Sequence, residues 1–374
     1  MIIGYDAKRI VRNGTGLGSY GRTLVNDMVR LDPTLRLKLY APDKGRDDLR
    51  EQIIEAPNLS FCYPKNCTLP FDKAIWRSSG IVKDLKKDGV QVYHGLSGEL
   101  PRGIRKSGIR SVVTIHDLIF LRHPEFYNWI DTKIYAWKFR STLKEADHII
   151  AISECTKHDI MEYGHISDDR ISVIYQSCAP RFNTCPEGEQ EKIRIDYGLP
   201  RRFILNVGTI ERRKNILLAV KALTDLPDDL SLVIIGRHTS YTNEVLDYVN
   251  THGLNQRVFF LHGVPDDHLP ALYAQAEAFV YPSVYEGFGI PIIEAINCGL
   301  PVVACTGSCL EEAGGPDSLY VAPDDVEGMA TAIRQVLKGA PGREERIQRS
   351  RDYIRRFEGN DVASQVLTLY RSLL

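Results

Sequence analysis

The chain has 374 residues, 43% of them hydrophobic and 25% charged, with a formal net charge of −1 at neutral pH. That length is too great for one ordinary domain and suits two of about 150–200 residues, with an ordinary globular composition. A near-zero charge balance excludes a general polyanion binder, so nucleic acid is not an expected partner.

The charge is unevenly placed. Residues 1–180 hold 27 Lys and Arg against 22 Asp and Glu, and the remainder 20 against 26. A mildly basic first part suits an anionic acceptor or a membrane surface, and equally well ordinary scatter. No apolar run reaches the roughly 18–20 residues of a membrane span. The start, MIIGYDAKRI, lacks the basic and apolar regions of a signal peptide. The expectation is a cytoplasmic chain, with peripheral contact at the inner face of the membrane left open. Cys62, Cys67, Cys155, Cys178, Cys185, Cys298, Cys305 and Cys309 then read as reduced thiols, without the paired short spacings of a zinc site.

In chain order, short apolar runs at 2–5, 35–40, 91–94, 111–115, 148–152 and 171–174 alternate with helical stretches at 17–31, 71–88, 127–146 and 153–163. A break from 176 to about 202, with Pro180, Pro186, Gly188, Gly198 and Pro200, reads as a linker. Strands then follow at 203–207, 232–235, 258–261, 278–281, 301–304 and 318–321. Helices alternate with them at 214–224, 241–252, 266–275, 291–297 and 325–338, and a last helical stretch runs from 345 through 357 to the end. The fold class is α/β, two Rossmann-like doubly wound parallel-sheet domains. They span 1–180 and 181–355, with a C-terminal helix at 356–374 placed to pack back on the first. Ligands of such sheets collect beyond the carboxyl ends of the strands.

In the first domain, Gly16-Leu17-Gly18-Ser19-Tyr20-Gly21 fits G-x-G-x-x-G, with Asp43 about twenty residues on, as in a dinucleotide site. That fingerprint needs the glycines directly after the strand. Here the strand ends near Asp6, eight residues before Gly14, so a long glycine loop over a crevice between domains is expected instead. His116, in Thr114-Ile115-His116-Asp117, falls at a strand's carboxyl end and faces the cleft. Basic residues at Arg102, Arg105, Lys106 and Arg110, and along 73–87 around Trp76, suit a lipid phosphate or simply a solvated surface.

In the second domain, NVGTIERRKN (206–215) places Arg212, Arg213 and Lys214 in one loop after a strand, where fixed cations stabilise a departing diphosphate. In AFVYPSVYEGFGIPIIEAINCGLPVVA (278–304) a strand ends at Tyr281-Pro282. A glycine-bearing loop follows, and a helix starts near Pro291 and stops before Gly299. Its N–H groups suit a phosphate, and Glu286 and Glu294 can face one crevice.

The string Glu-Gly-Phe-Gly-x-Pro-x-x-Glu-Ala from Glu286 closely resembles the E-x7-E signature of family-4 retaining glycosyltransferases with the GT-B fold. NVGTIERRKN resembles that family's Val-Gly-Thr-Leu-x-x-Arg-Lys-Asn segment, with Thr209 where some members carry arginine. The resemblance covers essentially the whole chain, its specific motifs lying in 203–304. It implies two domains facing a central cleft. Glu294 would hold the ribose and Glu286 the sugar hydroxyls, with Gly287, Phe288, Gly289 and Ile290 around the donor. Arg213 and Lys214 would meet the diphosphate beside Gly208 and Thr209, and His116 the donor sugar. Gly236, His262, Gly263 and Val264 resemble base-binding loops, Gly16 and Gly18 a loop near phosphate or acceptor, and Ser153-Glu154 a further family segment.

The implied activity is retaining transfer of a hexose from GDP-mannose or a UDP-sugar to a glycan or lipid-linked acceptor, in cell-surface polysaccharide or glycoconjugate synthesis. The chain contains no Asp-x-Asp, so neither metal nor other cofactor is expected, and the departing phosphate itself helps deprotonate the acceptor. A nucleotide-sugar 2-epimerase of GT-B fold, an NAD(P)-dependent oxidoreductase and a non-catalytic sugar-nucleotide module are the competing readings.

Overall fold

The computed structural model describes residues 1–65, 69–183, 187–357 and 361–374. Cys67, Cys185 and Pro186 lie outside the described residues, and the six other cysteines are thiols. The chain divides into two compact units, Met1–Gln176 together with Asn360–Leu374, and Ser177–Gly359. The first boundary thus falls a few residues before 180.

The first unit is built on β1 (Ile2–Asp6), β2 (Arg36–Tyr40), β3 (Leu59–Cys62), β4 (Val92–Gly95), β5 (Arg110–Ile115), β6 (His148–Ala151) and β7 (Ile171–Val173). They form a parallel sheet in the order β3-β2-β1-β4-β5-β6-β7. Successive strand residues serve opposite faces. Val92, Val112 and Ile150 enter one core cluster, while Tyr93, Val113 and Ile149 enter the other. Both faces are covered, so the strands read as continuous apolar runs.

The C-terminal helix Val362–Leu373 belongs to this unit. Asp361 caps it by accepting from the Ser364 N–H. Ala363, Val366, Leu367 and Tyr370 fall on one helical face and join the cluster of Ile3 and Tyr5.

The second unit holds β8 (Phe203–Val207), β9 (Ser231–Ile235), β10 (Val258–Leu261), β11 (Ala278–Tyr281), β12 (Val302–Cys305) and β13 (Leu319–Val321). Their parallel order is β10-β9-β8-β11-β12-β13. In each sheet the winding reverses beside the first strand, between β1 and β4 and between β8 and β11. Loops leaving those strand ends diverge and open a crevice.

Several expectations need correction. Gly16 and Gly18 do not lie on a long loop. They form the first turn of the helix Gly16–Leu31, and a separate short helix, Lys8–Arg12, stands between it and β1. A Cβ on Gly18 would sit 1.8 Å from the Asn13 carbonyl oxygen, so this glycine admits the turn that leads into the helix. The segment at 176–202 is not a plain linker, because it contains the helix Glu187–Asp196. Its charged sequence buries Ile193 and little else, which hid its period. The stretch at 71–88 is interrupted. Pro70–Ile75 and Ile81–Lys87 flank a π-helical turn, Trp76–Gly80, where the Trp76 Nε1–H donates to Asp84 at 2.7 Å.

Leu367 is 3% exposed in the core that ties the last helix to the first unit. Leu367→Ala should lower the unfolding free energy of that unit by about 2–5 kcal/mol, measured by urea unfolding.

Candidate active site

In the second unit, Asn206 near the end of β8 donates to the Val280 carbonyl oxygen of β11 at 2.8 Å, binding the two strands that flank the winding reversal. The loop after β8 then turns sharply against β9. A Cβ on Gly236 would lie 1.8 Å from the Gly208 carbonyl oxygen, so only glycine permits this approach. Beyond Thr209 and Ile210, a 3₁₀ turn at Arg212–Lys214 ends in Asn215 at φ 51°, a left-handed position that asparagine tolerates. This turn aims Arg213 and Lys214 towards the loop after β11.

That loop is stitched to it. The Val284 N–H donates to the Arg213 carbonyl oxygen at 2.9 Å, and Arg213 Nη1 donates to the Tyr285 carbonyl oxygen at 2.8 Å. The buried Cys309 thiol lies 3.0 Å from the Glu286 carbonyl oxygen and 2.9 Å from that of Phe288. Glu286 is thereby held with its carboxylate between two cations. Arg213 Nη1 stands 2.9 Å from Oε2, and Lys214 Nζ is in close contact with Oε1. Lys214 Nζ also meets the Tyr281 hydroxyl at 2.5 Å and lies 4.8 Å from the centre of its ring.

Burial alone would push the Glu286 pKa up, but Lys214 and Arg213 outweigh it and hold it at about 2. Burial works against the charge of Lys214 and Arg213 too, yet Glu286 raises both pKa values and keeps both protonated. The group is an ionised triad over the whole neutral range.

Gly289, at φ 117°, turns the chain into the helix Ile290–Asn297, with Pro291 in its first turn. The N–H groups of Gly289 and Ile290 have no acceptor among the described residues, so the helix start offers donors and positive potential. Glu294, on this helix, accepts from the Tyr273 hydroxyl at 3.0 Å. Burial pushes its pKa up to about 7, against the lowering effects of that hydrogen bond and of Arg181. The two glutamates therefore differ, one held ionised and one titrating near neutrality. Gly287 and Phe288 lie between them, Phe288 buried against Phe357 with ring centres 5.3 Å apart. Val264 is half-buried beyond β10 and His262 exposed there, against the His238 ring. This places them on the far side of β9 and β8 from Glu286.

In the first unit, His116 follows β5. Its Nε2 lies 2.9 Å from the Leu96 carbonyl oxygen, which can only accept, so Nε2 carries the proton. Its Nδ1 lone pair accepts from the Gln176 side-chain amide at 3.3 Å. The Tyr20 ring meets the imidazole edge-on, with centres 4.9 Å apart. Burial lowers the pKa to about 4, with the Leu96 carbonyl opposing, so the imidazole is neutral. Asp117 accepts from the Ile119 N–H at 3.3 Å, and Ser153 caps the helix Glu154–Gly164.

Sequence reasoning missed Tyr281, Tyr273, Cys309 and Gln176. Tyr281 had a signal, because it ends the strand next to Glu286. The others are brought in by packing.

Residues 189–353 match the family described as Glycosyl transferases group 1, and residues 15–177 match Glycosyltransferase Family 4. Over 287 residues the chain is 30% identical to the O-antigen chain mannosyltransferase B of Escherichia coli, covering 75% of this chain and 74% of that one. The chain belongs to the family-4 glycosyltransferases. The O-antigen chain mannosyltransferase RfbU of Salmonella typhimurium is 28% identical, covering 68% of this chain and 67% of that one. Sucrose-phosphate synthase from Thermosynechococcus elongatus superposes with a TM-score of 0.78 at 20% identity, covering 100% of this chain and 99% of that one. The two parallel sheets and this likeness identify the fold of the glycosyltransferase as GT-B.

Lys214→Met should destabilise this glycosyltransferase by about 3 kcal/mol at pH 7, the low end of the cost of breaking a buried pair, because Arg213 remains beside Glu286. Glu286 has a depressed pKa, so its stabilisation is complete above about 4.5 and lost as pH falls towards about 2. Urea unfolding should show the difference from wild type shrinking over that window, and Glu286→Gln should recover part of it at pH 7.

Proposed function

We propose that the chain is a retaining, metal-independent mannosyltransferase that takes its sugar from GDP-mannose and passes it to a glycan or lipid-linked acceptor in cell-surface polysaccharide synthesis. The observation that carries the reading is the ionised triad of Glu286, Lys214 and Arg213 beside the open N–H groups of Gly289 and Ile290. Two fixed cations and a helix start at a winding reversal suit a diphosphate. The names of the two curated relatives, both O-antigen mannosyltransferases, favour mannose and a polysaccharide acceptor over a UDP-sugar. They do not favour the epimerase or the oxidoreductase. The helix Lys8–Arg12 also separates the glycines from β1, unlike a dinucleotide fingerprint.

In this reading the diphosphate takes Arg213 and Lys214 over from Glu286, whose carboxylate turns to sugar hydroxyls. Glu294 accepts the ribose hydroxyls, and Gly208, Thr209 and Gly236 let the nucleotide lie close to the backbone. The family resemblance assigns Gly16 and Gly18 to phosphate or acceptor and Val264 to the base pocket. His116, which carries no charge, has the role the family resemblance gives it, hydrogen bonding and orienting the donor sugar. The bond from the anomeric carbon to the phosphate oxygen breaks. The acceptor oxygen bonds to the same face, and its proton passes to the departing phosphate. Cations that stabilise this phosphate lower the barrier without a metal. The absence of a helix long and apolar enough to cross a membrane among the described residues is compatible with peripheral contact at the inner face, the place a lipid-linked acceptor would require.

Glu286→Gln and Lys214→Met should each lower mannosyl transfer about 100–1,000-fold, with circular dichroism showing a folded chain. Near-normal turnover in both would refute the assignment, and loss of activity in EDTA would refute metal independence. GDP affinity should fall up to about tenfold from pH 8 to pH 6 as Glu294 takes up a proton near pH 7. Glu294→Gln should remove that part of the slope, since the ionisation of GDP itself is common to both proteins. Calorimetric titration at the two pH values measures it.

A further inference from the structure

The helix Trp129–Glu145 in the first unit has two apolar sides. Ala136, Phe139 and Leu143 turn inward and are buried, which satisfies the core. On the outside stand Trp129 (65% exposed), Ile130 (50%), Ile134 (44%) and Trp137 (52%). Positions 130, 134 and 137 share one helical stripe, and 129, 133 and 137 share the next. A helix facing water with one side only would carry polar residues there.

The patch continues beyond the helix. The loop ahead of it runs alongside, with Gly103 N–H and Arg105 N–H donating to Glu145 at 2.9 and 3.1 Å, and Arg102 N–H donating to the Ser78 carbonyl oxygen at 2.8 Å. Ser78 lies in the π-helical turn that continues Pro70–Ile75, where Phe71 is 72% exposed and Ile75 47%.

Cations surround this apolar surface, and they differ in pairing from the arginines that bridge two acids. Arg77, Arg122, Arg202 and Arg213 each reach two carboxylates. By contrast Arg102, Arg105, Lys106, Lys133, Arg140 and Lys144 have no ion pair among the described residues. The Arg102 guanidinium instead lies 4.6 Å from the centre of the Trp137 ring, and Lys133 Nζ 4.7 Å from that of Trp129. Nearby acids include Asp72, Asp131, Glu145, which already accepts from the backbone, and Glu99, which is taken up by Arg77 and by Lys138 of this helix.

We infer that this surface, the outer side of Trp129–Glu145 with the 102–106 loop and Phe71, is a docking face for an anionic lipid bilayer. Indole rings with a cation over each match the level of the headgroups, where apolar and charged groups are solvated together. Ile130 and Ile134 reach the acyl boundary. The arginines and lysines without a carboxylate partner meet anionic headgroups. The inference deepens the peripheral-contact reading above and involves no donor chemistry.

The test is co-sedimentation of the full chain with phosphatidylcholine vesicles, with and without phosphatidylglycerol, in the absence of donor. Binding should be at least about tenfold stronger with phosphatidylglycerol, and should weaken as salt rises. Trp129→Ser with Trp137→Ser should reduce it at least about tenfold. Lys133→Glu with Arg140→Glu should remove the preference for phosphatidylglycerol. Trp129→Ser alone, at the most exposed of these helix positions, keeps the test available if the double variant melts early. Equal binding to both vesicles, or binding indifferent to Trp129, would overturn the inference. So would a dimer in light scattering that Trp129→Ser abolishes, which would assign the face to a second copy. Failure here leaves mannosyl transfer standing, and failure of transfer leaves vesicle binding intact.

Discussion

A buried carboxylate stays ionised only where the fold delivers cations to it, and the second unit is arranged around meeting that need at Glu286. Lys214 and Arg213 arrive from the loop after β8, and Glu286 from the loop after β11. These are the two strands between which the sheet reverses its winding. No other neighbouring pair of strands in this sheet sends its loops apart, so the crevice and the charges coincide for a topological reason. Much of the local detail serves that meeting. Asn206 ties β8 to β11, Gly236 lets the Gly208 turn lie flat, and Asn215 takes the left-handed step that follows the two cations.

The proposed function asks the triad to exchange partners. In that reading, a carboxylate held by two cations beside open N–H groups stands in for a stronger anion. A diphosphate brings more charge and more acceptor oxygens than Glu286 can offer. The difference between the glutamates follows the same logic. Glu286 sits among cations and is ionised. Glu294 sits behind them, with a tyrosine hydroxyl and little positive charge, and titrates near neutrality. Eight positions along one loop and helix separate two carboxylates with opposite electrostatic surroundings.

Much of this was legible in the sequence, for reasons that can be named. Strands buried on both faces show as apolar runs, so β8, β10 and β11 were placed with the bounds they have. Glu286, Arg213 and Lys214 follow such strands directly, and their convergence needed only the assumption of a doubly wound sheet. Illegible were elements too short for a period, such as β3, Lys8–Arg12 and Leu310–Gly314, and the charged helix Glu187–Asp196. Gly16 and Gly18 misled because a glycine pair signals a backbone without a Cβ and does not say why. At Gly18 the reason is the Asn13 carbonyl oxygen. Tyr273 and Cys309 could not be found, since a tyrosine in a helix or a cysteine just ahead of one is ordinarily core and only the packed structure shows what it touches.

The first unit solves a different problem, holding a neutral imidazole still. His116 has its proton on Nε2 because a carbonyl faces that nitrogen, and its remaining lone pair points to Gln176, the last residue of the unit's first segment. Behind it Tyr20, Thr114, His94 and Tyr370 form a buried chain, with contacts of 3.2 Å from Tyr20 to Thr114, 2.8 Å from Thr114 to His94 and 2.5 Å from His94 to Tyr370. Burial drives the pKa of His94 to about 3, so this chain too is neutral. Polar groups so deeply buried are costly unless every partner is present. Tyr370 reaches His94 only because the C-terminal helix packs on this unit. The last helix therefore does more than cover apolar surface. It completes the hydrogen bonding of a polar chain whose other end lies against His116.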